Sequence, residues 1–291
     1  MNTQANINSL FGSGVKELIK LALIEDAPFG DQSALATISQ QQRSQAVVLA
    51  RESQIFCGAE FLPIICSELC TSISYQIYCV DGSSVSDGTE LITLEGSTRS
   101  LLQLERPLLN FLQRLCGVAS TTREAVEAAA GMTVLDTRKT MPGWRMLDKY
   151  AVRVGGGKNH RYSLSDMIMI KNNHIDAHQG DVVATLEAVY KNKPHFIPVE
   201  VEVRTLEELK ATIAFNPTAV LLDNMSDDQI AVCLKVLKES APQILIEVSG
   251  GITTERLKKL ASLGVPAVSM GSLTTVARNR DLSLRIKKVA G

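Results

Sequence analysis

Val15, Leu18, Ile19, Ala22 and Leu23 recur at i, i+3, i+4, i+7 and i+8, which is one face of a helix. The segment DAPFGD at 26–31 ends that helix with a proline and a glycine. Residues 46–50 (AVVLA) read as a strand and 59–70 as a helix. Residues 73–79 and 90–94 read as strands joined by the turn-rich DGSSVSDG. This first part is therefore mixed α and β, with strands expected to pair antiparallel. A long helical pattern then runs from about Arg99 to Ala130, carrying Leu101, Leu104, Leu108, Leu109, Leu112 and Leu115. Gly117 is expected to interrupt it. Arg106 stands beside Pro107, a residue favoured at helix starts, and on this pattern alone reads as a solvated surface arginine.

From residue 133 the rhythm changes. Short apolar runs alternate with helical patterns: 133–136, 166–170, 198–203, 219–222, 244–248 and 266–270. The last four start 21, 25 and 22 residues apart, which is a βα rhythm and predicts a parallel sheet. Polar residues gather where these strands end: Asp136-Thr137-Arg138-Lys139, Lys171-Asn172-Asn173, Glu202, Asp223-Asn224, Ser249-Gly250-Gly251 and Gly271-Ser272. Both α/β barrels and open doubly wound sheets carry their sites at that end.

Composition narrows the function. The net charge is −1 over 291 residues and aromatic residues make up 4%, which speaks against a nucleic-acid partner. No stretch approaches 18 apolar residues, and no basic segment leads into an apolar run at the start, so a soluble cytoplasmic protein is expected, without a membrane partner. The six cysteines form no CxxC pair and read as buried free thiols. Against this neutral background, residues 136–174 hold eight Lys or Arg and three Asp, a local concentration suited to a small polyanion.

Three sets of residues carry candidate chemistry. Glycines after the strands at 244–248 and 266–270 offer backbone N–H groups at helix starts, either as a phosphate cradle or as ordinary turns. Gly155–Gly157 does not follow a strand and is no dinucleotide fingerprint. Glu200 and Glu202 share a strand face, and Asp223 ends the next strand. Such oxygens suit Mg²⁺ or ribose hydroxyls, or else an internal ion pair. Arg138, Lys139, His160, Arg161 and Lys171 lie at or near the first two strand ends, where arginine suits carboxylates and lysine suits phosphate. Arg145, Lys149 and Arg153, at i, i+4 and i+8, read as a solvated or subunit-contact stripe, and His174, His178 and His195 as surface or structural residues. Phosphate, ribose or metal, and carboxylate groups together suggest glycosyl-type transfer from a phosphorylated sugar.

The stretch DTRKTMPGWRMLDKYAVRVGGGKNHRYSLSDMIMIKNNH resembles the quinolinate phosphoribosyltransferase family, as do LERPLLNFLQRLCGVAS, VEVEVRTLEEL, LLDNM, EVSGGI, VSMGSLT and LIEDAPFGD. The resemblance covers nearly the whole chain. It implies an irregular α/β (TIM-like) barrel, 117–274, joined to an N-terminal α/β sandwich domain, 1–116, on which the tail 275–291 packs. It implies transfer from 5-phosphoribosyl 1-pyrophosphate to quinolinate with Mg²⁺, giving nicotinate mononucleotide, pyrophosphate and CO₂ in de novo NAD synthesis. It also implies a homodimer in which Arg106 completes the neighbouring site. Thr137, Arg138, Lys139, His160, Arg161 and Lys171 would hold the quinolinate carboxylates and the pyrophosphate side of the donor. Glu202 and Asp223 would contact ribose and metal. Ser249, Gly250, Gly251, Met270, Gly271 and Ser272 would cradle the 5′-phosphate. Lys139 or Lys171 would protonate the ring carbanion. Two departures stand out: Asn172 where an acid is common, and Thr275-Val276 after GSLT.

Overall fold

The computed structural model describes residues 3–69 and 73–287. In chain order the first elements are α1 (Thr3–Asp26), α2 (Gln32–Thr37), β1 (Arg43–Ala50), β2 (Gln54–Ile55), α3 (Leu62–Leu69), β3 (Ser74–Ile77), β4 (Ser84–Val85), β5 (Glu90–Ser97) and α4 (Thr98–Ala128). There follow β6 (Thr133–Leu135), α5 (Arg145–Val154), β7 (Ile168–Ile170), α6 (Asn172–Ala177), α7 (Val182–Asn192), β8 (Val199–Val203) and α8 (Leu206–Ile213). The last are β9 (Ala219–Asp223), α9 (Asp227–Ser240), β10 (Leu245–Ser249), α10 (Thr254–Ser262), β11 (Ala267–Ser269), α11 (Ser272–Thr275) and β12 (Leu282–Lys287). Among the described residues no helix is long and apolar enough to cross a membrane.

The chain forms two compact units. The first comprises Met1–Arg123, Thr140–Gly156 and Ser272–Gly291; the second comprises Glu124–Lys139 and Gly157–Gly271. The units are discontinuous in sequence: residues 140–156 belong with the first, and α4 runs past residue 116.

In the first unit an antiparallel sheet has the order β12-β1-β5-β3. Val48 sits opposite Ile92 on one side and Leu284 on the other, so the C-terminal strand is part of this sheet. Val15 and Ile19 are buried on the helix face read from the sequence. α4 is one uninterrupted helix of 31 residues. Pro107 lies inside it and omits one hydrogen bond, and Arg106 is an exposed mid-helix residue rather than one at a helix start. Gly117 does not break the helix. A Cβ there would stand 2.4 Å from the carbonyl oxygen of Arg278, so glycine lets another chain segment pass against α4. The stripe on α5 is not solvated as a whole, since Lys149 is buried. Cys57, Cys66, Cys116 and Cys233 are buried free thiols and Cys79 is partly exposed; Cys70 lies outside the described residues.

In the second unit six strands form a parallel sheet in the order β6-β11-β10-β9-β8-β7. This is the chain order wrapped into a ring, as in an α/β barrel, with the ladder open between β6 and β7. All five residues of β8 are buried, including Glu200 and Glu202, as expected of a parallel strand covered on both faces. Each strand lies within two residues of its apolar run in the sequence.

Candidate active site

The site is built where the six parallel strands end. Past β6, Asp136 is fully buried. Its carboxylate accepts from the backbone N–H of His160 at 2.8 Å and from Asn159 Nδ2 at 2.6 Å. The backbone of Lys158 bonds with Val134 and Asp136 at 2.8 and 3.2 Å. These bonds stitch the DTRK and GKNHR segments together. Thr137 Oγ1 accepts from the N–H of Lys139 at 3.0 Å, so Thr137 shapes this turn. A Cβ on Gly271 would stand 2.8 Å from Lys139 Cδ, so glycine lets the lysine stem lie across the loop after β11. Met270, buried beside it, donates its N–H to Leu135 at 3.0 Å.

Arg161 donates from Nη1 to the carbonyl of Met167 at 3.2 Å. Burial, and then the neighbouring charge of Arg138, pull its pKa below the usual guanidinium value, while Glu200 and Asp166 oppose the shift. Arg161 is thus a partly buried cation that feels the like charge of Arg138, a situation that an anion would relieve. Lys171 follows β7, and its Nζ pairs with Glu202 Oε2 of β8. Its N–H is accepted by His174 Nδ1 at 2.9 Å, so His174 has a structural role in setting the lysine backbone.

Asp223 ends β9. It accepts from Ser249 Oγ at 2.7 Å and from Asn224 Nδ2 at 2.8 Å. After β10, Gly250 and Gly251 adopt φ of 90° and 59°, which side chains disfavour. Arg256, on α10, donates to the carbonyls of Gly250 and Met225, each at 2.6 Å. Because a trans peptide is planar, turning the Gly250 carbonyl toward Arg256 turns the Gly251 N–H the opposite way. The loop is thereby fixed as an N–H-presenting turn.

Like Arg256, a further acid is not marked by the strand-end pattern in the sequence. Glu247 of β10 is buried, and its Oε2 lies 3.4 Å from His160 Nε2; Glu200 Oε2 lies 3.1 Å from the same nitrogen. Burial, and then the charge of Glu200, push the Glu247 carboxyl up to about 7. A lone acid inside an apolar strand run was the available signal. Among the described residues these three also bring ligand-type atoms within 4.8 Å of one another. Their contact distances are those of hydrogen bonds. Arg106 and Ser272 belong to the first unit and are not part of this cluster of the second.

A parallel α/β unit with cations, acids and an anion-ready glycine turn at its strand ends has the layout of an enzyme for phosphorylated substrates. Residues 118–285 match the model of the quinolinate phosphoribosyl transferase C-terminal domain, and residues 31–116 match that of its N-terminal domain. The chain belongs to the quinolinate phosphoribosyl transferase family. It is 40% identical over 291 residues to the quinolinate phosphoribosyltransferase [decarboxylating] 2b, mitochondrial, of Nicotiana tabacum, covering 94% of this chain and 82% of the relative. It is 37% identical over 266 residues to the probable nicotinate-nucleotide pyrophosphorylase [carboxylating] of Synechocystis, covering 91% and 90%. The crystal structure of NadC from Streptococcus pyogenes aligns with a TM-score of 0.89 at 35% identity, covering 95% of this chain and 97% of that one.

Proposed function

We propose that this protein transfers the phosphoribosyl group of 5-phosphoribosyl 1-pyrophosphate to quinolinate, with decarboxylation, yielding nicotinate mononucleotide, pyrophosphate and CO₂ in de novo NAD synthesis. The observation that carries the reading is the stitching of the DTRK and GKNHR segments through buried Asp136 at the strand ends, which gathers the cations of both segments, in a chain of this family. Arginines gathered in this way suit a dicarboxylate.

In the reaction the C1–O bond breaks and its electron pair leaves with pyrophosphate. The pyridine nitrogen forms the new C1–N bond. The cationic nitrogen then withdraws the electron pair of the adjacent ring–carboxyl bond, CO₂ leaves, and a proton takes its place on carbon. Arg138 and Arg161 would orient the dicarboxylate, with His160 holding the Arg161 backbone. Gly250, Gly251, Gly271 and the flanking Ser249, Met270 and Ser272 would hold the 5′-phosphate. Lys139 and Lys171 are the candidates for charge neutralisation and for delivering the proton, and Lys171 is already paired with Glu202. The carboxylates of Glu202 and Asp223 fit Mg²⁺, which takes a few protein oxygens together with substrate oxygens. Bound there, the ion would neutralise phosphate charge. Arg106 is exposed on α4, and in a homodimer it would complete the site of the second copy. The free thiols support a reducing, cytoplasmic setting.

The deciding assay mixes protein, Mg²⁺, the donor and quinolinate, with nicotinate as the parallel acceptor. Product from quinolinate alone is expected; product from nicotinate alone would overturn the dicarboxylate reading. In the same assay Lys139→Ala or Lys171→Ala should lower turnover about 100-fold, the scale of a lost proton donor. Near-normal turnover in both would remove the lysines from the chemistry. Arg256→Ala should raise KM for the donor about tenfold, the scale of one lost hydrogen bond, and leave KM for quinolinate unchanged.

A further inference from the structure

The buried acids around His160 are not used by the chemistry above, yet they touch the recognition machinery through one ring. His160 Nε2 faces Glu200 Oε2 at 3.1 Å and Glu247 Oε2 at 3.4 Å. On the opposite side of the ring, His160 Nδ1 accepts the backbone N–H of Arg161 at 2.7 Å. A nitrogen that accepts an N–H carries no proton of its own, so the proton of the ring is on Nε2, directed at the acids. The backbone of His160 is fixed independently, by its N–H to Asp136. The acids therefore set the ring, and the ring holds the N–H of Arg161.

We propose that Glu247, acting with Glu200 through the His160 ring, is a positioning residue for dicarboxylate recognition by Arg161. The proposal rests on the quinolinate reading above and deepens it. Glu247 comes from β10, Glu200 from β8 and His160 from the loop before β7, so one polar cluster links the middle of the sheet to the Arg161 backbone. The groups facing Glu247 are Glu200, His160, Ser269 and Lys171. Two buried carboxylates around one N–H repel each other. Glu247 is the acid pushed upward, so glutamine at 247 mimics its protonated form, whereas alanine removes one side of the clamp.

The experiment compares Glu247→Gln and Glu247→Ala in the assay above, with each substrate varied in turn. Glu247→Ala should raise KM for quinolinate about tenfold, a misaligned charge-assisted hydrogen bond, and hold KM for the donor within about twofold. Glu247→Gln should restore quinolinate KM to within about threefold of the parent, as a shape-conserving swap that keeps the hydrogen bond. Side-chain nitrogen shifts of His160, assigned with a His160→Gln variant, give a second readout that needs no turnover. They should show a fixed Nε2–H tautomer in the parent and in Glu247→Gln, and tautomer exchange in Glu247→Ala. A fixed tautomer in all three proteins would overturn the proposal, as would equal rises in both KM values. If the parent used nicotinate and not quinolinate, the functional reading would fall while the nitrogen shifts still tested the clamp.

Discussion

Gly250→Ala is expected to raise KM for 5-phosphoribosyl 1-pyrophosphate by about 100-fold or more, the sum of backbone strain and lost charge-assisted hydrogen bonds. The residue sits at φ of 90°. A Cβ added there would stand 2.1 Å from Asn224 Oδ1 and 2.9 Å from the Asn224 backbone nitrogen. Asn224 cannot yield easily. It is itself at φ of 52°, its N–H bonds to the Ser249 carbonyl at 3.0 Å, and its Nδ2 bonds to Asp223. The methyl group would therefore displace the glycine turn and the acid of the neighbouring strand together. Strain of ~1–3 kcal/mol adds to ~1.5–3 kcal/mol for each N–H lost to a phosphate oxygen. Gly264→Ala is the control. It shares a positive φ of 80° but meets nothing within 4 Å, and it lies between α10 and β11. It should lose a little stability and keep both KM values. Initial rates with quinolinate saturating and the donor varied make the measurement. An unchanged donor KM in Gly250→Ala would remove this turn from phosphate binding.

Much of the second unit is legible in the chain because its strands are buried on both faces. Buried parallel strands leave short apolar runs, and the first polar residue after each run marks the site end. Lys171, Asp223 and Ser249 are candidates on that pattern. Glu247 was not, because one acid inside ILIEV interrupts a run without marking its end, and its partner His160 lies 87 residues earlier in sequence. Arg256 was also missed. In TTERLKKL it looks like any exposed helix cation, and only the return of α10 over the loop makes it a clamp. In the first unit the difficulty was different. Pro107 and Gly117 are local breakers, but the apolar leucine face of α4 is strong enough to carry the helix through both. Gly117 serves packing, and a close neighbour more than 150 residues away leaves no local trace. The segment 140–156 lies inside the range 117–274 expected for the barrel, and nothing local shows that it folds with the other unit.

Asp148→Ala is expected to destabilise the protein by ~3–5 kcal/mol, the scale for breaking a buried pair on one side. Asp148 is fully buried, and Arg114 meets it with two parallel hydrogen bonds, Nε to Oδ1 and Nη2 to Oδ2, each 2.9 Å. Nη2 also donates to the carbonyl of Thr274 at 3.2 Å. The guanidinium lies over Trp144, 5.6 Å from the ring centroid, and Trp144 stacks on Phe111 at 4.7 Å. One arginine thus joins α4, the start of α5 and α11 within the first unit. Removing the aspartate leaves a nearly buried guanidinium without its counter-charge, and its planar fork has no other place to go. A loss of this size should lower the melting temperature by about 10 °C in a chain of this length. Asp148 and Arg114 are not among the candidate site residues, so donor and quinolinate KM values at low temperature should stay near those of the parent. Arg114→Met combined with Asp148→Leu should recover most of the lost stability, because the desolvation cost disappears along with the attraction. Urea unfolding of the parent, both single variants and the double variant gives the coupling energy directly. A small loss in both single variants would mean that the stacked Phe111 and Trp144 rings, and not the ion pair, hold α5 against α4.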